Sequence, residues 1–66
     1  MVVEFKTVSG SVYLLDTDKK EISGGSLPHL CAYIGVPTVI IGEKARIRLN
    51  DGWVLTTTTV VASRIG

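Results

Sequence analysis

The chain has 66 residues, seven Lys and Arg against six Asp and Glu, a net charge of +1, and 45% hydrophobic residues. That length holds one domain, residues 1–66, and the near-neutral charge excludes a global field drawing the chain to nucleic acid or a membrane surface. A single cysteine, Cys31, excludes an intrachain disulfide, and His29 with Cys31 falls short of the four ligands a structural zinc takes.

Val2 to Val8 alternates, with Val3, Phe5 and Thr7 on one face and Glu4 and Lys6 on the other, the period of a half-buried strand. Ser9-Gly10 is a tight turn, and Ser11 to Asp16 returns as the second strand of a hairpin. Asp16 to Lys19 turns the chain again, and Lys20 to Ser23 reads as a short third strand. After the break Ser23-Gly24-Gly25-Ser26, residues 27–34 carry the signals of a short helix. Ser26 is placed as N-cap, Pro28 lies in the first turn, and Gly35 and Pro37 supply the stop. Leu27, Leu30, Cys31 and Ile34 share its apolar face; an ordered loop is the alternative, since two turns need tertiary support.

Thr38 to Ile41 is apolar and β-branched, and Gly42-Glu43 is a bend. Lys44 to Leu49 alternates cleanly, Ala45, Ile47 and Leu49 inward against Lys44, Arg46 and Arg48 outward. Asn50-Asp51-Gly52 is a hairpin turn, Trp53 to Thr57 the partner strand, Thr58 to Ala62 a further turn, and Ala62 to Ile65 a last short strand. Five or six short antiparallel strands joined by tight turns predict a mainly β fold, a small closed or half-open barrel. The run Ile41-Gly-Glu-Lys-Ala-Arg-Ile-Arg-Leu-Asn-Asp-Gly-Trp53 looks like the strand, turn and strand of an SH3-like barrel.

A chain this short seldom draws more than about 3–5 kcal/mol from a single core and commonly needs a staple; with an intrachain disulfide excluded and a structural metal nearly so, a second subunit is left. A mean hydropathy of +0.38 agrees, because one small barrel cannot hide that much apolar surface. A homo-oligomer is therefore expected, with Leu27, Leu30, Tyr33, Ile34, Val36, Val39 and Ile41, from the uncharged middle, as the self-association surface. From Ile22 to Gly42 there is no charged residue, a length that could span a bilayer, but its glycines and prolines break a helix, and no membrane span is expected. The start of the chain lacks the basic and apolar regions of a signal peptide, and the lone cysteine fits a reducing compartment.

No constellation for catalysis stands out. Asp16 and Asp18 read as turn residues. On the expected helix His29 and Cys31 point to different faces, which argues against a Cys–His pair, and Cys31 reads as a small core hydrophobe. His29 and Tyr33, four apart, could stack on its polar side. Gly24-Gly25-Ser26 lacks the ending of a phosphate-binding loop. No cofactor or metal is expected, and the chain reads as no enzyme. The best candidate surface is the row Lys44, Arg46 and Arg48, roughly 7 Å apart along a strand, with Trp53 and Arg64 near it. Such a row suits phosphates, nucleic acid or an acidic partner, while the bland alternative is a solvated face kept charged for solubility.

Two segments, Phe5-Lys-Thr-Val-Ser-Gly-Ser-Val-Tyr13 and Thr56-Thr-Thr-Thr-Val-Val-Ala-Ser-Arg-Ile65, together with the spacing Gly42, Ala45, Ile47, resemble a group of small uncharacterised proteins encoded by phages of actinobacteria. The resemblance covers the two ends and the core strand and carries no activity. It implies phage origin and action in the cytoplasm of a bacterial host cell. The expectation is a non-enzymatic interaction protein that self-assembles and engages a host component, with a host protein as partner. A nucleic-acid-binding barrel, which net charge does not favour, and a binder of a phosphate-bearing ligand or signalling nucleotide at a subunit junction are the alternatives.

Overall fold

The computed structural model, covering Met1–Gly66, contains six strands and no helix. They are β1 (Val2–Thr7), β2 (Val12–Asp16), β3 (Glu21–Gly24), β4 (Cys31–Thr38), β5 (Lys44–Leu49) and β6 (Val54–Ile65). Each pairs antiparallel with the next, and β6 returns to pair with β1, closing the ring. An even number of strands lets an up-and-down ring close without any parallel pair.

Alternation along the strands fills the barrel. Phe5, Tyr13, Leu15, Ile22, Tyr33, Ala45, Ile47, Leu49, Leu55 and Val60 form one buried core. Burying an aliphatic or Phe side chain of this size contributes about 1.5–3 kcal/mol. Phe5 and Tyr13 face each other across β1 and β2 with rings stacked at 5.1 Å and 18°, worth about 0.5–1.5 kcal/mol beyond area.

Turn chemistry fixes the hairpins. Asp16 Oδ1 accepts from the N–H groups of Asp18 (3.0 Å) and Lys19 (3.1 Å), so the carboxylate builds the β2–β3 turn. Gly24, at φ +92°, lies where a Cβ would stand 2.5 Å from the Val12 carbonyl oxygen. Only glycine allows β3 to leave β2 there.

A small ring must bend sharply, and three register shifts do this: in β1–β6 at Lys6/Thr7, in β4–β5 between Ile34 and Thr38, and in β5–β6 between Lys44 and Arg46. At the last, the Ala45 N–H donates to Thr57 Oγ1 at 3.1 Å, and the Thr57 hydroxyl donates to the Thr58 carbonyl at 2.7 Å. A buried threonine thus satisfies the donor that the bulge takes from the ladder.

The helix expected over 27–34 is not formed. Residues 27–30 are irregular, and Cys31 opens β4, whose ladder to β3 runs through Glu21↔Ala32 and Ile22↔Cys31. The apolar spacing that resembled a helical face is met instead by Leu27 and Cys31 packing on the core from a loop and a strand start. Thr58 to Ala62 also differs from expectation: it lies inside the single 12-residue β6. That stretch carries no Gly or Pro to turn on, so the chain bulges and continues. Conversely, Thr38 ends β4, and Ile40 to Glu43 form the turn, closed by Glu43 N–H to Ile40 O at 3.1 Å.

Ile47→Ala should cost about 2–5 kcal/mol, enough to unfold so small a domain. Leu14→Ala, on the outer face of β2, should change stability by less than about 0.5 kcal/mol. Urea denaturation followed by circular dichroism measures both.

Candidate functional site

β5 turns Ala45, Ile47 and Leu49 into the barrel, which leaves Lys44, Arg46 and Arg48 on the outer wall. Register sets their neighbours. Arg48 lies between Ile34 of β4 and Val54 of β6, Arg46 between Thr38 and Thr56, and Lys44 opposite Thr59. Two shallow hollows run along this face and share Arg46 and Thr38. One, of about 670 Å³, is lined by Ile34, Val36, Arg46, Arg48 and Val54 and has no acidic residue. The other, of about 540 Å³, is lined by Lys44, Arg46, Thr59 and Glu43.

None of the three cations is in an ion pair. The ion pairs of the chain are Arg64 with Glu4, at 3.7 Å, and the Met1 amine with Asp18. Arg64 therefore does not belong to the row. It sits on the β1 half of β6, cross-strand from Glu4, because β6 leaves β5 and continues along β1. Trp53, 71% exposed, closes the β5–β6 hairpin at the Arg48 end. Its N–H donates to Asp51 Oδ1 at 2.9 Å and its carbonyl accepts from Leu49 at 2.7 Å, so the backbone of the tip is held.

A third hollow, of about 380 Å³, lies beside the first and carries no charged residue. Its apolar lining is Val3, Leu15, Val36, Pro37, Val39 and Ile65. The bulge between Ile34 and Thr38 lifts Gly35-Val36-Pro37 off the β4–β5 ladder, with Gly35 at φ +72°. Val36 emerges 94% exposed and lines both this hollow and the arginine-lined one, a ridge between them.

The residues expected to form one self-association surface divide. Leu30, Ile34, Val36 and Ile41 are exposed; Leu27 and Val39 are partly buried and packed on the core. Tyr33 differs outright: as the β4 residue opposite Leu49 it points inward and is 4% exposed. It cannot stack on His29, which is exposed. Val3, Pro37 and Ile65 join the apolar hollow without having been singled out. They come from three strands, and only the ring closure places them together.

Without the helix, Cys31 Sγ comes 3.7 Å from His29 Nδ1. The same nitrogen lies 3.0 Å from the Leu30 carbonyl oxygen, which can only accept, so Nδ1 carries the proton there and is not a base for the thiol. The thiol in turn donates to the His29 carbonyl at 3.4 Å. Gly24-Gly25-Ser26 offers no phosphate cradle: the Gly25 N–H donates to Val12 O at 2.8 Å and the Leu27 N–H to Gly24 O at 3.1 Å.

Two groups titrate away from their ordinary values. The Lys19 N–H, with that of Asp18, holds the Asp16 carboxyl below the usual range. Burial, with the negative charges of Asp16 and Asp18, pushes the Tyr33 phenol up.

No known family model, characterised protein or solved structure matches the chain.

The raised Tyr33 has a stability consequence. An unfolded tyrosine loses its proton near pH 10, before Tyr33 does in the fold. The folded state resists ionisation, so this contribution to stability is complete below about pH 10 and falls as pH rises toward the folded value. Thermal melts between pH 8 and 11 should show a smaller alkaline loss in Tyr33→Phe than in the wild type.

Proposed function

We propose that this barrel is a non-enzymatic interaction protein that self-assembles through the uncharged hollow at Val36. The observation that carries this is the placement of Val36 and Ile65, 94% and 67% exposed, on a hollow with no charged lining. Twelve of the 66 residues are buried, and the surface of 4243 Å² is close to the roughly 4,100 Å² expected of a folded chain of this mass. The apolar exposure thus follows from a shortage of interior and not from an open shape. A hollow without charge selects an apolar partner surface, and the chain presents one of its own in Val36, Pro37 and Ile65. The arginine-lined hollow next to it suits a second copy poorly, because two-fold packing there would set Arg46 and Arg48 against their own equivalents.

We read the scaffold as an SH3-like small barrel from the β5–hairpin–β6 pattern. The resemblance of both chain ends to actinobacterial phage proteins supports action inside a bacterial cell, on a host component that the assembly engages.

Light scattering after size exclusion, at micromolar concentration, tests the self-assembly. The expected mass is a defined multiple of 7.1 kDa, and Val36→Glu, at a largely exposed side chain, should return it to the monomer with the fold intact. A monomeric wild type, or a Val36→Glu variant with unchanged mass, would overturn the reading.

A further inference from the structure

We propose that the outer face of β5 is a binding site for single-stranded nucleic acid, with Arg48, Arg46 and Lys44 taking successive phosphates. This rests on the cation row and is independent of the self-assembly reading. Three of the seven basic residues of the chain stand on one strand face, although the chain as a whole is nearly neutral. Alternate residues on a strand are roughly 7 Å apart, a repeat that an extended phosphodiester chain can match, and the row spans about 13 Å. The fold leaves all three without an ion pair within 4.0 Å, and the hollow lined by Arg46 and Arg48 has no acidic residue, so no paired carboxylate offsets the repulsion between those two. Bound phosphates would relieve it and release counterions.

The flanking side chains point to nucleic acid in single-stranded form. Thr38, Thr56 and Thr59, the cross-strand neighbours of Arg46 and Lys44, supply hydroxyl donors along the same line. Ile34 and Val54 bracket Arg48, and Trp53 is largely exposed beyond it. Phosphates have no use for these apolar and aromatic groups, whereas unstacked bases pack on them. A duplex hides its base faces, and its major groove, about 12 Å wide, admits a helix or a two-stranded ribbon. A barrel of 26 × 23 × 20 Å does not enter it. An acidic protein segment would use the cations and leave Trp53 idle. Glu43, in the hollow beside Lys44, makes the Lys44 end the weaker one and puts the weight on Arg46 and Arg48.

The test is fluorescence anisotropy of labelled oligo-dT and oligo-U, with a duplex of equal length and a poly-glutamate peptide as comparisons, over a series of salt concentrations. The variants are Arg46→Ala/Arg48→Ala, Trp53→Ala and, as an equal change of charge elsewhere, Lys19→Ala/Lys20→Ala in the β2–β3 turn. Melting curves confirm that each is folded. The double arginine variant should weaken single-strand binding about tenfold or more and lower the slope of log K against log salt by about 1.4, since two phosphates are no longer neutralised. Trp53→Ala should weaken it without changing the slope, and the lysine pair should bind like the wild type. The oligo-dT and oligo-U arms decide between DNA and RNA. Absence of binding at low salt, an equal weakening in the lysine variant, or equal affinity for the duplex or the poly-glutamate would each overturn the proposal.

Discussion

Strand β6 is the element on which the rest of the barrel depends. Its first half pairs with β5 and its second half with β1, so one continuous strand both extends the meander and closes it. To do so it must curve around a core only ten side chains large, and the curvature is taken up at the register shifts. The Thr57 hydroxyl makes one of them tolerable by capping the Ala45 N–H in the interior. Removing that cap leaves a buried donor, a deficit of about 1–3 kcal/mol, a large fraction of what a core of this size supplies.

Closure also decides what lies outside. A ring of six short strands gives every second residue to solvent, and this sequence fills many of those places with Val, Ile and Leu. The pairing register then sorts the exterior. β5 puts its cations in line, β4 and β6 flank them with hydroxyls and short apolar groups, and the β4 bulge raises Val36 beside them. Beyond that ridge, β1, β2 and the end of β6 supply an uncharged hollow. Two surfaces of opposite character thus share one boundary residue, so an occupant of either is a neighbour to the other.

Much of the architecture was legible in the sequence because the strands that built it alternate strictly. Lys44 to Leu49 is the clearest case: every outward residue is charged and every inward one apolar, and the structure follows that division side chain by side chain. The middle of the chain was not legible for the same reason in reverse. Leu27, Leu30, Cys31 and Ile34 satisfy a helical period, and nothing local says that Cys31 and Ala32 instead complete a ladder with Ile22 and Glu21. Tyr33 could not be assigned inward until its partner Leu49 was known. The continuity of β6 was hidden because Thr58 and Thr59 look like loop residues yet have the β-branched shape that keeps a strand going. Of the surfaces, the cation row belongs to a single strand and could be read directly. The apolar hollow draws on residues as distant as Val3, Pro37 and Ile65, and only the closed ring brings them together.

Separation of the two faces can be measured directly. A dilution series of two-dimensional amide NMR spectra, from the millimolar to the low micromolar range, reports where copies touch. The largest concentration-dependent shifts are expected at Val3, Val36, Val39 and Ile65, with those of Lys44 to Arg48 smaller. Shifts centred on Arg46 and Arg48, or spectra that do not change with concentration, would contradict a self-associating apolar face beside a free cationic one.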